Sequence, residues 1–196
     1  SIHAGQTPDP VTLSRGVTIA RTSSFVFKSA EHAANLFALK EFGNIYTRLG
    51  NPTTAVLEDR ITALEGGAAS VAVASGTAAI FNTIITIARV GDNIVSANNL
   101  YGGTYTQFDA ILPDLGITTK FVDVKDPANF EKAIDAKTRL LYLETIGNPA
   151  LDVADIEAIS KIAQKHKIPL VVDATFTTPY LLRSIEHGAD IVVQSL

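Results

Sequence analysis

Pro169-Leu170-Val171-Val172-Asp173-Ala174-Thr175 decides the fold. Its core is a short β-branched run that does not alternate with polar residues, as expected of a strand covered on both faces. Further short β-rich runs predict strands over residues 70–74, 93–97, 118–123, 139–144 and 190–194. Between them the apolar spacing turns helical. Tyr105, Phe108, Leu112 and Leu115 repeat at helical intervals, as do Ile156, Ile159 and Ala163, and Asp126-Pro127 opens a helix carrying Phe130 and Ile134. Residues 78–88 are apolar nearly all round, which predicts a buried helix. Strands that alternate with helices give an α/β fold, a mostly parallel open sheet with helices on both faces.

Residues 1–68 read differently. A polar Gly/Pro/Thr-rich opening precedes a helix predicted over residues 29–42, with Ala33, Leu36, Phe37 and Leu39 on one face. Asn51-Pro52 starts a second helix: asparagine can accept a first-turn N–H, and proline supplies a helical φ at the first position. Leu57, Ile61 and Leu64 form its stripe, and Gly66-Gly67 ends it. This region contains little on which to close a core, so it is expected to be an arm lying against residues 69–196 or against a second subunit.

The bulk composition narrows the function. The chain has 196 residues, 46% hydrophobic and 18% charged, with a formal net charge of −4. Without a basic cluster, nucleic acid and anionic membranes are not expected partners. No cysteine is present, which removes disulfides and thiolate metal sites and makes a cytosolic, reduced setting the default expectation. No apolar stretch approaches the ~20 residues of a membrane span. Position 1 is not methionine, and the strand at 190–194 is followed by no turn, so both ends are expected to be cut.

In an open parallel sheet, ligands bind beyond the carboxyl ends of the strands. After the first predicted strand comes Ser75-Gly76-Thr77, a small-residue turn into a helix whose free N–H groups can seat a phosphate. Taken alone, such a turn more often closes a tight junction, and it is not a dinucleotide fingerprint. After the second strand, Tyr101 precedes Gly102-Gly103. It can lie on a flat ligand and offer its hydroxyl for proton transfer, or simply pack on the loop. Asp173 at the mouth of a buried strand needs a partner, which can be a cationic ring nitrogen, a helix N-cap or a neighbouring loop. Ser195 closes the sixth strand with another hydroxyl.

These segments together resemble one family. The stretch from Glu31 to Arg48, the Asn51-Pro52-Thr53-Thr54 segment, Leu100-Tyr101-Gly102-Gly103-Thr104-Tyr105 and Glu144-Thr145-Ile146-Gly147-Asn148-Pro149-Ala150-Leu151 are similar to the Cys/Met-metabolism enzymes that depend on pyridoxal 5'-phosphate (PLP), and within them to the O-acetylhomoserine sulfhydrylase branch. The resemblance implies a fold-type-I large domain with PLP as cofactor and no metal. It implies that Ser75, Gly76, Thr77 and Ser195 hold the phosphate, that Tyr101 stacks on the ring, that Asp173 pairs with the ring nitrogen, and that Asn148 and Thr175 lie near the ring's 3-hydroxyl oxygen. Tyr46 and Arg48 would serve the neighbouring subunit's cofactor, in a tetramer built from dimers. Tyr101 and Asp173 are the expected catalytic residues.

The family pattern continues Ser-x-Thr-Lys, so the Schiff-base lysine is expected just beyond Leu196. The chain departs from the pattern at Ala174 and over Thr18-Ile19-Ala20-Arg21-Thr22. The implied reaction is γ-replacement of O-acetylhomoserine by sulfide or a thiol, giving homocysteine or methionine plus acetate. Cystathionine γ-synthase and the γ-lyases are the sister alternatives. Methionine γ-lyases carry a cysteine where this chain has Gly103. An alternative of another class is a catalytically silent scaffold.

Overall fold

A computed structural model describes residues 2–196. They form two compact units, one ending at Ala72 and the other spanning Val73–Leu196.

In the first unit, helix α1 (Ala30–Phe37) is capped by Ser29, whose Oγ accepts the His32 N–H. The predicted helix to residue 42 stops five residues early. Leu39 takes a left-handed φ of 55°, and the N–H groups of Leu39 and Lys40 bond back to Leu36 and Asn35. This is a helix-terminating motif that usually recruits glycine, so the leucine hid it. Helix α2 (Pro52–Glu65) starts and ends where expected: the Asn51 side chain accepts the Thr53 N–H at 2.9 Å, and Gly66 closes it at φ 72°. Leu36 is fully buried, whereas Val26, Phe37, Leu39 and Phe42 are exposed.

The strand expected at residues 70–74 does not form. A strand needs a neighbour to accept its ladder bonds. Here Ala72 donates its N–H to Glu58 Oε1 and Ser70 shares a hydroxyl bond with Thr62, both on α2, while Val71 and Val73 are exposed.

The second unit holds the sheet. Its elements are α3 (Gly76–Ile87), β1 (Asn93–Ala97), α4 (Gly102–Thr106), α5 (Leu112–Asp114), β2 (Thr118–Val122), α6 (Ala128–Ala133), β3 (Thr138–Glu144), α7 (Ile156–His166), β4 (Leu170–Asp173), α8 (Thr178–Leu181) and β5 (Ile191–Val193). Five strands, not six, lie in the order β2-β1-β3-β4-β5, all parallel. β1 and most of β3 and β4 are buried, as the apolar runs Leu140–Leu143 and Leu170–Val172 require of the latter two.

Ile80 and Ile84 of α3, Ile159 and Ala163 of α7, and Phe130 of α6 belong to the core cluster formed with these strands. Phe108 meets Tyr142 edge-on at 4.8 Å. The helix expected through Leu115 is interrupted by a π-helical turn, Gln107–Ile111, which still buries Phe108 and lets Leu112 follow it inward. Helix α6 ends at Ala133, before Ile134.

Candidate active-site rim

The parallel register sets Glu144 of β3 beside Asp173 of β4, and Asp173 beside Val193 of β5. Two carboxyl groups therefore stand on adjacent strands at the carboxyl end of the sheet. The other sequence-predicted residues attach to them through short links.

Ser75 caps α3 by accepting the Ala78 N–H at 3.0 Å. Gly76 and Thr77 then lie in the first turn, where no helical carbonyl can reach their N–H groups. Gly76 is pressed against Ser195: a Cβ at this position would fall 2.7 Å from the serine Cβ and 3.2 Å from its Cα. Only a residue without a side chain fits. Ser195 donates its N–H to Thr175 Oγ1 at 3.0 Å, and Thr175 donates its own N–H to Asp173 Oδ1 at 2.9 Å. On the other side, the Tyr142 hydroxyl reaches Asp173 Oδ2 at 3.5 Å, and Tyr101 donates its N–H to Glu144 Oε1 at 2.7 Å. The Tyr101 ring is half exposed. Gly76, Ser195, Thr175, Asp173 and Tyr101 thus share one continuous edge.

Asn148 sits one loop further out, its N–H bonded to the carbonyl of Asn99, two residues before Tyr101. Tyr46 and Arg48 belong to the first unit, where the Arg48 guanidinium lies 5.1 Å from the Tyr46 ring centroid.

The electrostatics centre on Glu144. Burial raises its pKa to about 7, with the Asp173 charge adding to the rise and the Tyr101 N–H opposing it. Burial also holds the Tyr142 phenol well above its ordinary value, reinforced by the charges of Asp173 and Glu144, so it remains a donor. A carboxyl that binds its proton more tightly when folded loses stability as pH rises from the ordinary carboxyl range towards 7, with the full penalty present above that. Glu144→Gln should remove this penalty. In the cofactor-free, full-length protein, the melting temperature of the variant relative to wild type is expected to shift in the variant's favour between pH 5 and pH 8. A difference independent of pH would contradict it.

Sequence reading quoted Glu144 but gave it no role, although it closes Leu140-Leu141-Tyr142-Leu143 in the same way that Asp173 closes Leu170-Val171-Val172. It also passed over Asn99, whose Nδ2 is buried without a hydrogen-bond partner and occupies the space a side chain at Gly147 would need. No sequence signal marks that contact.

The rim combines a first-turn anion seat with a glycine cradle, a nearby serine hydroxyl, an exposed aromatic face and a carboxylate at a buried strand end. This donor set suits a phosphorylated pyridine ring. The sequence model of the Cys/Met metabolism PLP-dependent enzyme family matches residues 1–196.

The chain belongs to this family.

Among its relatives in the Cys/Met metabolism family is an O-acetyl-L-homoserine sulfhydrylase of Leptospira meyeri, 54% identical over 196 residues, which are all of this chain and 44% of that protein. The crystal structure of a Campylobacter jejuni protein described as an O-acetylhomoserine (thiol)-lyase, bearing a pyridoxyl-lysine monophosphate, matches with a TM-score of 0.95 at 41% identity. The match covers 98% of this chain and 47% of that one. A Lactobacillus plantarum cystathionine gamma-lyase complexed with L-serine matches with a TM-score of 0.89 at 38% identity, over 98% of this chain and 48% of that one. The chain spans less than half the length of each of these proteins. Among the described residues, no helix is long and apolar enough to cross a membrane.

Proposed function

We propose that the complete protein carrying this chain is an O-acetylhomoserine sulfhydrylase, which replaces the γ-acetoxy group of O-acetylhomoserine by sulfide to give homocysteine and acetate, or by a thiol to give methionine. The observation that carries this reading is the continuous rim from Gly76 to Tyr101, in a chain 54% identical to an O-acetyl-L-homoserine sulfhydrylase. When bound, PLP supplies an electron-poor ring that takes up the charge left when the substrate loses its α-proton.

This chain's residues provide the setting. The N–H groups of Gly76 and Thr77 and the hydroxyl of Ser195 would hold the phosphate, with Ser75 fixing the turn that presents them. Asp173 would pair with the ring nitrogen, and its tie to the Thr175 N–H keeps the carboxylate turned to the rim. Tyr101 would cover the ring face, with its hydroxyl available to move protons at the leaving group. Asn148 and Thr175 would flank the ring's 3-hydroxyl oxygen.

Tyr46 and Arg48 would reach the phosphate in a neighbouring subunit, where a guanidinium can bond two oxygens at once. A homotetramer built from such dimers is part of the proposal, supported by the exposed Val26, Phe37 and Phe42 in the first unit. So is a cytoplasmic setting, supported by the absence of cysteine.

The test is a steady-state assay of the full-length protein with O-acetylhomoserine and sulfide. Stoichiometric homocysteine and acetate are expected. The likeness to a cystathionine gamma-lyase defines the competing outcome: release of ammonia and a keto acid without added sulfide would replace the sulfhydrylase reading with elimination.

A further inference from the structure

Tyr101 stands at a point where the local chain does little to fix it. It precedes two glycines, Gly102 and Gly103, which cost more conformational freedom to order than any other residues. Tyr101 caps α4 with no side-chain bond, and its ring is half exposed. Its carbonyl accepts the Tyr105 N–H, but its own N–H points away from the helix. That N–H is taken by Glu144 Oε1 at 2.7 Å, from a strand 43 residues further along the chain.

Glu144 is only 8% exposed and stands beside Asp173 in register. Burying it there is unfavourable, and an apolar residue of the same size would avoid that cost. The ionisable groups facing it are Asp173 on β4 and Tyr142 on its own strand.

We propose that Glu144 is a positioning residue for the reaction: by accepting the Tyr101 N–H it anchors the Tyr101-Gly102-Gly103 turn to the rim beside Asp173 and so delivers the Tyr101 ring to the cofactor. The catalytic part of this inference rests on the sulfhydrylase reading above. Gly103 leaves room for the ring in this position, since a Cβ there would lie 2.6 Å from the Tyr101 ring.

The test uses the full-length enzyme with Glu144→Ala and Glu144→Gln, followed by amide hydrogen exchange at Tyr101, steady-state constants and the absorption of bound PLP. Alanine removes the acceptor. Exchange at Tyr101 should rise about 10-fold, as loss of a buried hydrogen bond of ordinary strength implies. The loss in kcat/KM should be of similar size and fall mainly on kcat, with PLP still bound.

Glutamine retains an oxygen acceptor and should keep both protection and activity within about threefold of wild type. Unchanged exchange at Tyr101 in the alanine variant overturns the proposal, as does a folded glutamine variant impaired as severely as alanine. If the alanine variant does not fold, the glutamine variant decides alone: retained protection and activity support the proposal, and their loss overturns it. An unmodified enzyme that binds no PLP would overturn the functional reading and this inference with it. Bound PLP with an unresponsive Tyr101 amide overturns this inference only.

Discussion

Replacing Gly76 by alanine is expected to weaken PLP binding by the full-length enzyme about 10- to 100-fold, the equivalent of the ~1–3 kcal/mol that overpacking a tight contact costs. Two effects oppose each other at this position. Alanine is the better helix former by up to about 1 kcal/mol, which favours the substitution. Its methyl group would meet Ser195 Cβ at 2.7 Å, with the Ser195 backbone Cα at 3.2 Å. Those atoms are not the tip of a flexible side chain, so the collision is relieved only by moving the turn that presents the Gly76 and Thr77 N–H groups or by moving Ser195. Either movement opens the proposed phosphate seat. Absorbance titration of the cofactor measures the effect, and an unchanged affinity would show that the seat lies elsewhere.

Replacing Asp173 by asparagine should leave the enzyme folded and lower kcat about 10²- to 10³-fold, in the range found when one partner of a buried charge pair is removed. The substitution separates two roles. The asparagine side-chain oxygen can still accept the Thr175 N–H, now bonded to Asp173 Oδ1 at 2.9 Å, so the local turn persists. The negative charge does not persist, and a protonated ring nitrogen paired with Asp173 as proposed would lose its counter-ion. An asparagine variant within about threefold of wild type in kcat would assign Asp173 a structural role only.

The centre of the sheet was legible because β3 and β4 are covered on both faces and appear as the apolar runs Leu140–Leu143 and Leu170–Val172. The 93–97 strand matches β1 at both ends, and the Asn51 cap is placed as expected. Residues 70–74 have the same composition but no neighbour to pair with, and pairing is a long-range property that composition cannot report. The end of α1 was hidden because Leu39 adopts the left-handed conformation that glycine usually supplies. The π-helical turn leaves the burial of Phe108 and Leu112 unchanged, so apolar spacing alone does not reveal it.

At the rim, Gly76, Tyr101, Asp173 and Ser195 could be found by inspecting strand ends. What spacing could not supply was the linkage between them. The contact of Gly76 with Ser195 joins residues 119 positions apart in the numbering of the chain, and the hold of Glu144 on Tyr101 depends on strand order. Glu144 closes a buried strand as Asp173 does, but only the strand order shows that the two carboxyl groups are neighbours and that Glu144 reaches the Tyr101 N–H.

The most direct test of the account is the crystal structure of the complete protein grown with PLP. The account predicts the phosphate against the Gly76 and Thr77 N–H groups and the Ser195 hydroxyl, the ring nitrogen at Asp173, and the Tyr101 ring over the pyridine face. A cofactor bound away from the carboxyl ends of β3, β4 and β5, or one whose ring nitrogen faces no carboxylate, would contradict it.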